Sequence, residues 1–112
     1  MKLGLSMGNF GYHVGAWRYP GVMVDGNMRL QYYLDMTKAA ERGLFDTVFL
    51  ADFLALPSND KPEGMFGRSA DMITLEPLTL LSALAPLTRN VGLTSTLSTT
   101  FMPPYHIARL FA

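Results

Sequence analysis

Apolar positions recur along this chain with two periods, and the switches between them mark out its elements. In residues 2–8, KLGLSMG, Leu3, Leu5 and Met7 alternate with Gly4, Ser6 and Gly8, which is the two-residue period of a strand. Residues 28–42, MRLQYYLDMTKAAER, instead put Leu30, Tyr33, Leu34, Thr37 and Ala40 on one helical stripe. Asn27 reads as the N-cap of that helix and Gly43 as its C′ stop. The nearly unbroken apolar run DTVFLAD, residues 46–52, suits a strand buried on both faces of a parallel sheet. A second helix is announced within residues 74–90, TLEPLTLLSALAPLTRN. There Pro77 suits the first turn, and Leu78, Leu81, Leu84 and Ala85 form the stripe. Pro86 predicts a kink or a distorted turn. Residues 91–100 alternate again, with Val91, Leu93, Ser95 and Leu97 opposite Gly92, Thr94, Thr96 and Ser98. A third helix begins in PPYHIARLFA, with Pro104 near its first position and Ile107, Ala108 and Phe111 at helical spacing.

The order βαβαβα predicts an α/β fold with a parallel sheet and right-handed crossovers. Loop length is distributed unevenly over that order. The helix-to-strand connections are short, residues 43–46 and residue 90, whereas the strand-to-helix connections run over residues 8–27 and 53–75. Long loops therefore collect at the carboxyl ends of the strands, where α/β barrels and doubly wound sheets place their active sites.

Bulk composition narrows the classes. With 112 residues and 49% hydrophobic content the chain carries enough apolar matter for a core. Nine basic residues balance nine acidic ones, leaving no overall field to attract nucleic acid or anionic lipid. There is no cysteine, which removes disulfides, thiolate metal sites and thiol nucleophiles. No apolar run reaches membrane-spanning length and the first residues lack a signal-like core, so the expectation is a soluble, cytoplasmic protein.

Candidate chemistry clusters at the predicted strand tips. Asp52 emerges from the apolar run FLAD, where it can hold a ligand amide or hydroxyl or move a proton; bracing the adjoining loop explains the position equally well. Thr96 and Ser98 belong to the hydroxyl-rich stretch TSTLSTT, which lets a flat ring or phosphate approach the backbone and also simply suits a strand. The first long loop holds His13, Trp17, Arg18 and Tyr19 within seven positions, a wall for an organic ligand or a pair of aromatic anchors beside a solvated cation. Met65, Phe66 and Arg68 form the inner side of a second loop that can cover the site. His106 stands near no carboxylate at ligand spacing, so no metal site is expected. Dinucleotide, P-loop, nucleophile-elbow and HExxH motifs are all absent.

The stretches YHVGAWRYP, AERGLFDTVFLADFLAL and EPLTLLSALAPLTRNVGLTSTLSTTFMPPYHIAR, in that order, resemble the amino-terminal part of the bacterial luciferase-like flavin-dependent monooxygenases. Within that superfamily the similarity is to the nitrilotriacetate monooxygenase branch, which also holds desulfurisation and long-chain alkane monooxygenases. The resemblance implies the amino-terminal βαβαβα portion of a TIM barrel. It implies reduced FMN supplied by a separate flavin reductase, O2 and a small organic substrate as reaction partners, and a homo-oligomer in the full-length family. Asp52 matches a flavin-site position, Thr96 or Ser98 lies beside the flavin with Ser98 preferred, and His13 and Trp17 resemble the substrate-side wall. A TIM barrel needs eight βα units and about 250 residues. The expectation is therefore a fragment with part of the flavin site, inactive alone. Two other readings stand beside it. One is a non-enzymatic partial barrel that assembles with itself or a partner chain through its open edges. The other is a compact flavodoxin-like domain.

Overall fold

A computed structural model of the chain describes residues 1–8, 10–13, 15–55, 63, 64, 67 and 73–112. Three strands and three helices alternate: β1 (Gly4–Ser6), α1 (Leu30–Arg42), β2 (Thr47–Leu50), α2 (Pro77–Leu84), β3 (Gly92–Ser95) and α3 (Pro104–Phe111). All three strands are parallel, in the order β1-β2-β3.

Register decides which side chains meet. Leu5, Val48 and Leu93 stand side by side across the sheet, and so, one residue on, do Ser6, Phe49 and Thr94. Because successive side chains point to opposite faces, the first row faces the helices and the second faces away. Met7, Val48, Leu50 and Val91 form one buried cluster with Tyr33, Leu34 and Ala40 of α1 and Leu80, Leu81 and Leu84 of α2. Burying each of the larger side chains stabilises the fold by about 1.5–3 kcal/mol. Apart from Phe49, the opposite face is small and polar. Gly4, Ser6, Gly92 and Thr94 are exposed there, and the Thr47 hydroxyl lies 2.8 Å from that of Thr94 and donates to the Gly92 carbonyl.

The α1 stripe is largely as patterned, with Tyr33, Leu34, Thr37 and Ala40 buried, but its ends differ. Asn27 is not the N-cap. It is buried in a 3-10 turn over Gly26–Met28, where its Nδ2 donates to the Ile73 carbonyl and its own carbonyl accepts from the Tyr33 hydroxyl. The helix starts at Leu30 behind Arg29, which makes no side-chain cap. At the other end Gly43 has an ordinary φ of −79° and Leu44 takes the left-handed value of 60°. Leu44 N–H bonds Glu41 O, and Phe45 N–H bonds Ala40 O, the paired bonds of a Schellman ending.

In α2 the buried residues are Pro77, Leu80, Leu81 and Leu84; Leu78 is half-buried and Ala85 exposed. Ala85 leaves the stripe because the α-helix stops at Leu84 and a 3-10 turn, Ala85–Leu87, carries Pro86. The Glu76 carboxylate caps the start, accepting from Leu78 N–H at 2.9 Å and Thr79 N–H at 2.6 Å. All three strands are shorter than their patterns, and β2 is fully buried only on the helix side, since Thr47 and Phe49 are half-exposed. No residue of α3 is buried.

Candidate functional site

In a parallel sheet all carboxyl ends share one rim, and the opposite rim here is occupied by structural contacts. Ahead of β2, Asp46 accepts from Lys2 Nζ and Leu3 N–H, both at 2.8 Å. The Lys2 hydrogen bond, followed by that of Leu3, holds its carboxyl below the usual carboxylate range. Ahead of β3, Glu41 Oε1 gathers the N–H groups of Arg89, Asn90 and Val91 at 2.7, 2.5 and 3.3 Å. Those donors, Asn90 first, hold Glu41 below its ordinary value as well.

The carboxyl rim is where the candidate residues converge. The β2–β3 ladder continues one step past the strands, with Thr96 N–H donating to the Leu50 carbonyl at 3.2 Å. This seats the Thr96 hydroxyl beneath the backbone of Asp52, whose N–H donates to it at 2.7 Å. Beyond that bond a concavity of about 280 Å³ is lined by Asp52, Phe53, Leu54, Ala55, Ser98 and Phe101. Asp52 and Ser98 are thus brought together from positions 46 apart, while Thr96 holds the backbone between them and does not line the space. Phe53 and Phe101 are largely exposed. Reading the sequence missed both. Their signal was available: each follows a candidate polar residue within three positions and belongs to no strand or helix pattern.

A second concavity, about 540 Å³, follows β1 and is lined by residues including Phe10, His13, Ala16, Arg18, Tyr19 and Val22. His13 lines it directly and accepts a hydrogen bond at Nδ1 from Gly15 N–H. Trp17 does not line it. Its half-buried ring lies in the 3-10 turn Ala16–Arg18 and carries the Arg18 guanidinium at 4.6 Å from its centroid. Of the two aromatic anchors expected in this loop, Tyr19 is exposed and Trp17 is the one that packs. Met65, Phe66 and Arg68 lie outside the described residues. His106 is exposed on α3, and among the described residues no group of three or more His, Cys, Asp or Glu is placed to hold a metal ion. Nor is any helix among them long and apolar enough to cross a membrane.

Residues 8–112 match the family of luciferase-like monooxygenases. The chain is 45% identical over its whole length to N-acetyl-S-(2-succino)cysteine monooxygenase of Bacillus subtilis (strain 168), of which it covers 24%. It is 40% identical, again over its whole length, to nitrilotriacetate monooxygenase component A of Aminobacter aminovorans, covering 26% of that protein. Among solved structures, riboflavin lyase with modified FMN and substrate riboflavin matches with a TM-score of 0.74 and 28% identity, over 97% of this chain and 25% of that one. The chain spans about a quarter of the length of these relatives.

Proposed function

Since the chain belongs to the luciferase-like monooxygenase family, we propose that it carries part of the flavin site of an FMN-dependent monooxygenase that transfers one oxygen atom of O2 to a small organic substrate. Its three βα units are the amino-terminal part of that family's barrel. The observation that carries the reading is the meeting of Asp52 and Ser98 in one concavity with two exposed phenyl rings.

The lining suits a flavin ring. An isoalloxazine is flat and apolar on its faces and carries amide-like donors and acceptors along one edge. Asp52 supplies an acceptor and Ser98 a hydroxyl for that edge, and Phe53 and Phe101 supply apolar surface for the faces. Reduced FMN, delivered by a separate flavin reductase, brings the electrons that activate O2. The chain's own contribution is to fix the ring edge through Asp52 and Ser98, to hold Asp52 in place through Thr96, and to keep water from the ring with the phenyl groups. His13 and Trp17 belong to the substrate side, on the neighbouring loop of the same rim. The working protein is a cytoplasmic homo-oligomer, and this chain by itself does not turn over.

A second reading has its own support. Among the described residues β1 and β3 each pair along one edge only, and α3 buries nothing, which suits a module that assembles with another chain. Supplying the chain with FMN, NADH, a flavin reductase and O2 separates the two readings and tests the claim of inactivity. FMN uptake without turnover is expected. Stoichiometric oxygenated product from the chain alone contradicts the inactivity, and failure to take up FMN favours the assembly module.

A further inference from the structure

Among the described residues, Asn27 and Thr37 are the buried polar side chains. Thr37 donates to the Tyr33 carbonyl of its own helix. Asn27 reaches out of the loop that carries it, and its Nδ2 donates to the Ile73 carbonyl at 2.6 Å. That bond joins the returning ends of the two long strand-to-helix loops, residues 8–27 and 53–75.

Each of these ends leads to one concavity of the carboxyl rim. On the first side, α1 backs the turn Gly26–Met28: the Tyr33 hydroxyl donates to the Asn27 carbonyl at 3.0 Å. The Tyr32 ring lies over Gly26 so closely that a Cβ there would come within 2.9 Å of it. The same ring stands 6.1 Å from that of Phe10, which lines the concavity after β1. On the second side, the loop that returns at Ile73 sets out with Phe53, Leu54 and Ala55 in the lining of the β2–β3 concavity. Through Asn27 the wall of the first concavity is thus tied to the loop that lines the second.

Asn27 is only 3% exposed, so parting it from Ile73 gives up a hydrogen bond that water does not readily replace. Two long loops that close only through their own ends retain independent motion, which a cross-link between them removes. A reaction between two bound molecules suffers when their placement shifts by about 1 Å. We propose that Asn27 is a positioning residue: it pins the two loops together, so that the substrate side and the flavin side of the rim keep one relative placement. The assignment of those sides rests on the flavin monooxygenase reading above.

The test compares Asn27→Ala with Tyr33→Phe, which removes a hydrogen bond to the same residue but leaves the link to Ile73. Trp17, the only tryptophan, lies in the first loop, and acrylamide quenching of its fluorescence reports that loop without any ligand. Quenching is expected to rise towards that of a fully exposed indole in Asn27→Ala and to stay unchanged in Tyr33→Phe. FMN affinity, read from flavin absorbance, is expected to fall about fivefold in Asn27→Ala and to hold in Tyr33→Phe. Circular dichroism checks folding. If Asn27→Ala does not fold, Asn27→Asp, which keeps the shape and at neutral pH lacks the donor, is read with the same expectations. Unchanged quenching in the Asn27 variant, or an equal rise in both variants, overturns the pin. A selective rise with FMN affinity unchanged overturns its service to the flavin side. A selective rise in a chain that takes up no FMN upholds the link between the loops and removes the flavin reading instead.

Discussion

The backbone N–H of Asp52 donates to the Thr96 hydroxyl at 2.7 Å, joining the residue that ends the second apolar run to the first residue past β3. A threonine that accepts from a neighbouring backbone in this way helps to position Asp52. Thr96→Val keeps the shape and removes the acceptor. It is expected to cost about 1 kcal/mol in stability, and FMN affinity is expected to fall about fivefold. Thr96→Ser keeps the hydroxyl and is expected to retain both. Urea midpoints and a flavin titration of the two variants check this, and equal behaviour of Val and Ser would show the bond to be idle.

Glu41 makes stability depend on pH in a definite direction. The donors at residues 89–91 hold its carboxyl below the ordinary value in the folded chain, so the folded state binds fewer protons than the unfolded one. The stabilisation is present above the unfolded carboxyl's titration, near pH 4, and is lost as pH falls through the folded value. Asp46 acts with the same sign through Lys2 and Leu3. Glu41→Gln is expected to lower the urea midpoint at neutral pH and to flatten its decline in acid. An unchanged acid slope would place the proton uptake elsewhere.

Leu44 holds a left-handed backbone conformation, with φ of 60°, while its side chain is 85% exposed and contributes little packing. A side chain in that region costs about 1–2 kcal/mol relative to glycine, part of which glycine returns as chain entropy. Leu44→Gly is expected to raise stability by about 0.5–1 kcal/mol. Thermal melts check it; a lowered midpoint would mean the leucine is held by contacts that outweigh the strain.

Leu84 and Leu110 are both helical leucines with opposite expected responses. Leu84 is wholly buried between α2 and the sheet, and Leu84→Ala is expected to cost about 2–5 kcal/mol. Leu110 on α3 is 51% exposed, and Leu110→Ala is expected to fall within about 0.5 kcal/mol of no effect. A comparable loss at Leu110 would show that α3 packs against something, in favour of the assembling module.

Periodicity carries far in this chain because each strand has one face against helices, so the two-residue alternation of Leu5 to Met7 and of Val91 to Ser95 is a record of packing. The uneven loops single out the carboxyl rim, the rim on which Asp52 and Ser98 meet. What escaped the sequence depends on partners remote along it. Asn27 has the composition of a cap, but its amide is claimed by Ile73, 46 residues away. Glu41 looks like a solvated helical acid, yet it closes the turn before β3. Thr96 and Ser98 share a face by alternation, but the strand ends at Ser95, and beyond it one turns to Asp52 while the other lines the concavity. The proposed flavin chemistry rests on resemblance, since no spacing rule encodes an isoalloxazine site.

The most direct test is equilibrium titration of the chain with FMN, followed by flavin absorbance and fluorescence, for the unaltered protein, Asp52→Ala and Ser98→Ala. A saturable spectral change is expected, weakened about tenfold or more by Asp52→Ala, in keeping with loss of a hydrogen bond to a charged group, and less by Ser98→Ala. No saturable binding, or equal affinity in Asp52→Ala, would contradict a flavin site at the tips of β2 and β3.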